Sequence, residues 1–206
     1  CKELFTQYIP NQKLNMFLMF SIMALYVAIL YLFGLNLVTF KYLLLTPLLI
    51  SVLTIDFKEH IIPDRLILIL FEIGMLFSII EGFDSLNIFV DKILGMVIGF
   101  GIFGIITLIG GLLAKKKAMG YGDVKLMAAL GLIFGEIGIL MIIVIAFLIA
   151  AFVSIVLLVA KKKKFTEYIA FGPYIAIASF IAMLSSTNGL LFILLKIFTL
   201  GTYSLG

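Results

Sequence analysis

Asp56 and Asp123 are the residues of this sequence with the most chemistry to offer. Asp56 closes an apolar stretch, directly after Ser51-Val52-Leu53-Thr54-Ile55, and Asp123 opens another, directly before Val124. An ionisable side chain costs roughly a few kcal/mol at the centre of a membrane span and less toward the interface, so it is a site hypothesis by default. Two carboxyls that share a site cannot both ionise cheaply, and one keeps a proton while the other stays charged. The charged member can take a proton from water; the protonated member can donate one to a scissile carbonyl oxygen. Such a pair titrates as a unit, so neither residue is given a separate role.

Other hydrolytic chemistries lack their parts. The chain has one Cys, Cys1, and one His, His60. That excludes an internal disulfide framework, a tetrahedral Cys/His zinc site and an H-E-x-x-H metalloprotease, which needs two His one helical turn apart. A Ser-His hydrolase would have to recruit His60, and no G-x-S-x-G elbow accompanies it. His60 lies between Glu59 and Ile61 in a short polar loop and reads as an interfacial loop residue. No metal or organic cofactor is implied.

The elements that must position the two acids follow from composition. Of 206 residues, 64% are hydrophobic and 13% charged, and the mean hydropathy is +1.31. A soluble domain carries about twice that charged share. The composition excludes a soluble domain, a disordered chain and a nucleic-acid module. A bilayer-spanning helix needs about 20 mostly apolar residues. Apolar runs fall at 14–33, 42–55, 66–80, 93–113, 124–160 and 169–184. The run 124–160 reads as two short crossings that turn near Gly135-Glu136-Ile137-Gly138. The tail 190–200, interrupted by Lys196, reads as an interfacial helix or an eighth, weak span. The expected fold is therefore all-α: one domain over residues 1–206, a polytopic transmembrane bundle of about seven spans, with six to eight as the range.

Asp56 and Asp123 are 67 residues apart, separated by two spans and one outer loop. Two crossings bring the chain back to its starting side, which places both acids at one edge of the bilayer. With residue 1 in the cytoplasm, inner segments carry twelve of the fifteen Lys and Arg, and outer loops only Lys41 and Lys92. The positive-inside rule then puts the acids at the cytoplasmic edge. The run Lys161–Lys164 is a topology anchor or a contact for anionic lipid. The first apolar run is too long for a typical signal sequence and reads as a retained span. Cys1 in place of Met suggests processing or a chain that begins inside a longer one.

Structural roles compete with the functional ones. Asp123 stands where a helix N-cap would, and Asp56 where a helix ends at the interface. Asp64, after Pro63, reads as a helix start. Glu72 lies inside a span, facing water, a Lys or substrate. Glu136 looks like a turn residue at the outer face. Gly120 and Gly122 bracket Tyr121 just before Asp123. They would loosen the backbone there, as irregular chain at membrane depth is tolerated where it is buried or lines a watery cavity. A transporter or proton relay built on the same carboxylates is the rival reading, though such sites lie nearer the midplane.

Three segments resemble one family. Gly120-Tyr121-Gly122-Asp123-Val124-Lys125-Leu126-Met127-Ala128-Ala129-Leu130-Gly131 is similar to the G-x-G-D segment of type IV prepilin peptidases. Asp56-Phe57-Lys58-Glu59-His60-Ile61-Ile62-Pro63-Asp64 resembles their first aspartate motif, an Asp followed by Ile-Pro-Asp. Phe171-Gly172-Pro173-Tyr174 resembles a Phe-Gly-Pro-aromatic segment of bacterial members. The resemblance covers the chain from about residue 14.

It implies an integral-membrane aspartyl protease of the inner membrane, with its active site toward the cytoplasm. The substrates implied are prepilins or pseudopilins, cut between a short basic leader and a hydrophobic helix. Asp56 and Asp123 would be the catalytic dyad, with Gly120, Tyr121 and Gly122 shaping the backbone beside Asp123. Pro63 belongs to the first motif, and Gly172 and Pro173 would help build the cleft. Lys125 would tune the dyad or meet a substrate carboxylate, unless it is a snorkelling anchor. Glu59 and Asp64 would attract the basic leader. Membrane lipids are the other expected partner, and nucleic acid is not one. Many bacterial members also methylate the new N-terminus and carry a zinc-binding region with two C-x-x-C pairs. That region is not in this sequence, so methylation is not expected of it.

Overall fold

The computed structural model describes residues 12–83, 85–114, 120–160 and 170–185. They form six helices: α1 (Gln12–Phe33), α2 (Leu37–Glu59), α3 (Asp64–Gly82), α4 (Leu86–Ala114), α5 (Tyr121–Val159) and α6 (Gly172–Leu184). Among the described residues there is no strand, so the chain is all-α. Long aliphatic runs leave no other choice in a bilayer, where each backbone N–H and C=O must be satisfied within its own segment. Buried or half-buried hydroxyls obey the same rule. Thr46, Ser51, Thr54, Ser78, Thr107 and Ser179 each donate to the carbonyl four residues back, the usual solution for a hydroxyl inside a helix.

Local signals set the helix ends. Gly34 follows α1 in the left-handed region (φ +66°). Asn36 caps α2 by accepting the Thr39 N–H at 2.8 Å. His60 ends α2, also left-handed (φ 56°, ψ 32°), with its N–H on the Asp56 carbonyl. The extended residue Pro63 then starts α3, with Asp64 in its first turn as the sequence led one to expect.

Among the described residues, four helices are long and apolar enough to cross a membrane: α1, α2, α4 and α5. That count does not confirm the about seven spans expected. α3 carries Asp64, Arg65, Glu72 and Glu81, and α6 has 13 residues. The tail 190–200 and the clusters Lys115–Lys117 and Lys161–Lys164 lie outside the described residues.

α5 is not one rod. An unbroken helix would hold Met127 and Ile139 about 18 Å apart along its axis, yet both lie against Gly99 of α4. Gly131 and Gly135 likewise both lie against Gly95. The chain folds back at Gly135, whose φ of 77° and ψ of −174° belong to a region open essentially to glycine alone. Two neighbours on α4 cap the broken ends. Asp91 Oδ1 accepts the Glu136 N–H at 3.1 Å, and Lys92 Nζ donates to the Ile133 carbonyl at 3.3 Å.

The core runs through the bundle from Leu45, Leu49 and Val52 of α2, past Leu66 and Leu70 of α3, to Leu126, Leu130, Ile139 and Ile142 of α5. Large apolar side chains also face outward, Phe17, Leu108 and Phe152 among them. In water such a surface would aggregate; against lipid it is the ordinary exterior. One end of the bundle holds Lys41, Glu81 and Lys92. Lys41 Nζ meets Glu81 Oε1 at 2.5 Å, and Lys92 Nζ stands 3.7 Å from Glu81 Oε2. Asp56 and Asp123 lie at the other end.

Candidate active site

Asp56 sits in the last turn of α2 and Asp123 in the first turn of α5. α2 therefore delivers its acid just as it reaches the end of the bundle, and α5 presents its acid just as it enters. Both line one cavity of about 420 Å³, with His60, Ile61, Ile62, Pro63, Asp64, Gly120, Tyr121, Gly122 and Lys125. Asp56 is 4% exposed and Asp123 3%. The two carboxyls are close enough to act on each other electrostatically.

The Gly172 backbone at the start of α6 packs directly against the Asp56 carboxyl, and Gly120 lines the same cavity just ahead of Asp123. Asp56 Oδ2 and Asp123 Oδ1 are buried and have no hydrogen-bond partner among the described residues. Buried polar atoms are nearly always paired, so two such carboxylate oxygens in one cavity single this place out as the candidate site.

The glycines differ from expectation in one respect. Gly120 is extended (φ −73°, ψ 139°), but the helix begins at Tyr121 and Gly122 is already helical. Gly122 does not loosen the backbone; it makes room. A Cβ there would stand 3.2 Å from the Ile62 Cβ, so the small residue lets the 61–63 segment cross close over the start of α5. Lys125 lines the cavity rim, and its ion pair is with Asp64 Oδ1 at 2.8 Å, not with either buried acid. That pair ties the start of α3 to the start of α5.

Gly172 is at the site, buried against Asp56. Pro173 is one step removed. It lines a neighbouring apolar cavity of about 500 Å³ with Leu53, Phe57, Val153 and Tyr174, and His60 borders both cavities. His60, exposed and just past the end of α2, stands at the wall between the two. Glu59 and Glu72 are exposed and line neither. Ile62 was not singled out from sequence, because an isoleucine in a short loop carries no signal of what it covers. Among the described residues, no three His, Cys, Asp or Glu side chains converge where a metal ion could sit.

Comparison with known proteins bears on what such a cavity is for. A family model described as the type IV leader peptidase family matches residues 43–159, which include both acids. A protein of Aeromonas hydrophila named prepilin leader peptidase/N-methyltransferase is 37% identical over 146 residues, 71% of this chain and 49% of that protein. Proteins of the same name from Neisseria gonorrhoeae and Pseudomonas aeruginosa are each 34% identical, over 72% and 69% of this chain and 50% and 48% of their own. The chain spans about half the length of these curated relatives. No solved structure matches it.

Proposed function

Because the chain belongs to the type IV leader peptidase family, we propose that it is a membrane aspartyl endopeptidase that removes the leader from prepilin or pseudopilin precursors at the cytoplasmic face of the inner membrane. The observation that carries this reading is the cavity holding Asp56 and Asp123, each with one buried oxygen unpartnered among the described residues. A water lying between the free oxygens gives a proton to the ionised carboxyl and attacks the scissile carbonyl carbon. The protonated carboxyl donates to the carbonyl oxygen. The tetrahedral intermediate collapses as the C–N bond breaks: the leaving amine takes the proton held by one acid, a hydroxyl of the intermediate gives its proton to the other acid as the new carboxyl group forms, and the pair is again left with one proton, as at the start. The cavity wall contributes by excluding bulk water, which strengthens every electrostatic interaction inside.

A proton-coupled transporter needs charge partway through the membrane. Among the described residues the buried charged side chains are Asp56 and Asp123 at one end and Lys41 at the other, so this rival gains no support. Incubating membranes that hold the chain with a prepilin peptide, and reading products by mass spectrometry, tests the proposal. One cut at the leader junction is expected with the unaltered chain and none with Asp56→Asn or Asp123→Asn. Cleavage by either variant overturns the assignment of the pair.

A further inference from the structure

The Asp56 carboxylate is held from another helix. Its own helix ends four residues on, at His60, while the backbone packed against it is that of Gly172 at the start of α6. The fit is close. A Cβ on Gly172 would stand 2.5 Å from Asp56 Oδ2, 3.0 Å from Cγ and 3.2 Å from Cβ. Any side chain at position 172 would press on the oxygen that is unpartnered among the described residues. Gly172 precedes Pro173 in the first turn of α6, where helix N–H groups have no partner of their own helix.

What fixes Gly172 is the residue before it. The Phe171 ring lies 5.7 Å from that of Phe103 on α4 and 5.1 Å from that of Phe147 on α5, and those two are 5.9 Å apart. Tyr174 adds an edge contact to Phe171 at 6.0 Å. Phe103 is completely buried. Rings at such separations attract specifically through their quadrupoles, and three rings from three helices close a triangle that leaves Phe171 little freedom. None of these rings touches the dyad cavity.

We propose that the Phe103–Phe147–Phe171 triangle clasps the start of α6 and so, through the Gly172 backbone, sets the orientation of Asp56 in the pair. Phe171 and Gly172 are positioning residues for leader cleavage, and this inference rests on the reading given above. The clasp couples the approach of the acids to the packing of α4, α5 and α6 together, beyond the two helices that carry them.

The test measures kcat and KM for a prepilin peptide with the membrane-embedded chain and four variants: Asp56→Asn, Gly172→Ala, Phe171→Ala and Phe171→Tyr. Thermal midpoints report whether each is folded. A misplaced catalytic group costs on the order of a hundredfold per ångström. Gly172→Ala is expected to lose about that much in kcat with KM within about twofold, the pattern of an interaction that matters only in the transition state. Phe171→Ala should fall in the same direction, and Phe171→Tyr, which keeps the ring, should recover. A Gly172→Ala enzyme with unaltered kcat, or a loss carried by KM, overturns the proposal. So does a Phe171→Tyr variant as impaired as Phe171→Ala, and this pair decides alone where Gly172→Ala does not fold. Failure of the unaltered chain to cut, or cutting by Asp56→Asn, would instead bring down the dyad reading and this inference with it.

Discussion

Gly99 has no contact with the dyad cavity, yet replacing it with alanine should cripple cleavage. A Cβ at this position of α4 would stand 2.5 Å from the Met127 carbonyl oxygen and 3.0 Å from its carbon. A comfortable C···O separation is about 3.3 Å, so α4 and the first half of α5 must part by about 0.8 Å. Both atoms on the α5 side are backbone, which has no rotamer to give. Ile139, whose Cγ1 would be 3.2 Å away, can yield by turning. Met127 is one helical turn from Asp123 on the same rigid segment, so most of the displacement reaches the acid. At on the order of a hundredfold per ångström, Gly99→Ala should lose about tenfold to a hundredfold in kcat on a prepilin peptide. Gly101 and Gly104, on the same helix, have nothing within 4 Å of a built Cβ. Alanine there should leave cleavage unaltered and add about 0.5–1 kcal/mol of stability per site, since glycine is a poor helix interior residue. The three variants are compared by cleavage rate and thermal midpoint in one detergent. Equal rates for Gly99→Ala and Gly101→Ala would refute the transmission of packing to the acid.

Other perturbations separate the parts of the molecule. Gly135→Ala forces a Cβ into a conformation open essentially to glycine and onto the Asp91 carboxylate. It should destabilise by about 1–3 kcal/mol, visible as a lower thermal midpoint, and an unaltered midpoint would count against the fold-back at this residue. Lys41→Met leaves Glu81 with the more distant Lys92. Removing one member of a buried pair costs about 3–5 kcal/mol, so the midpoint should fall while the activity of the folded fraction stays level. Lys125→Gln removes a pair whose side chains are 52% and 70% exposed. Stability should change by less than about 1 kcal/mol, and a larger loss on thermal scanning would show that the bridge carries more than its exposure implies.

Much of the fold was legible because a bilayer imposes few solutions. The described apolar runs became helices, and the two helices between the acids, α3 and α4, return the chain so that Asp56 and Asp123 share one end of the bundle and one cavity. The turn expected between Gly135 and Gly138 falls at Gly135. The helix starts were less legible. α2 begins at Leu37 and α4 at Leu86, ahead of the apolar runs at 42 and 93, because Asn36 caps α2 early and because Lys41, Asp91 and Lys92 are helical residues paired within the bundle. Charges that a hydropathy profile reads as loop are here inside helices, neutralised by partners far away in sequence.

The sequence by itself determined the class of fold, the presence of two acids at the edges of apolar runs and their sharing of one end of the bundle. These depend on composition and on the parity of crossings, which need no knowledge of contacts. Tertiary structure alone decided that Gly122 makes room for Ile62, that Lys125 pairs with Asp64, and that Gly172 of α6 packs against Asp56, 116 residues earlier in the chain. Each of these is a short-range contact between segments distant in sequence. Side-chain packing falls off within a few ångströms, so a pattern along one dimension carries no record of it.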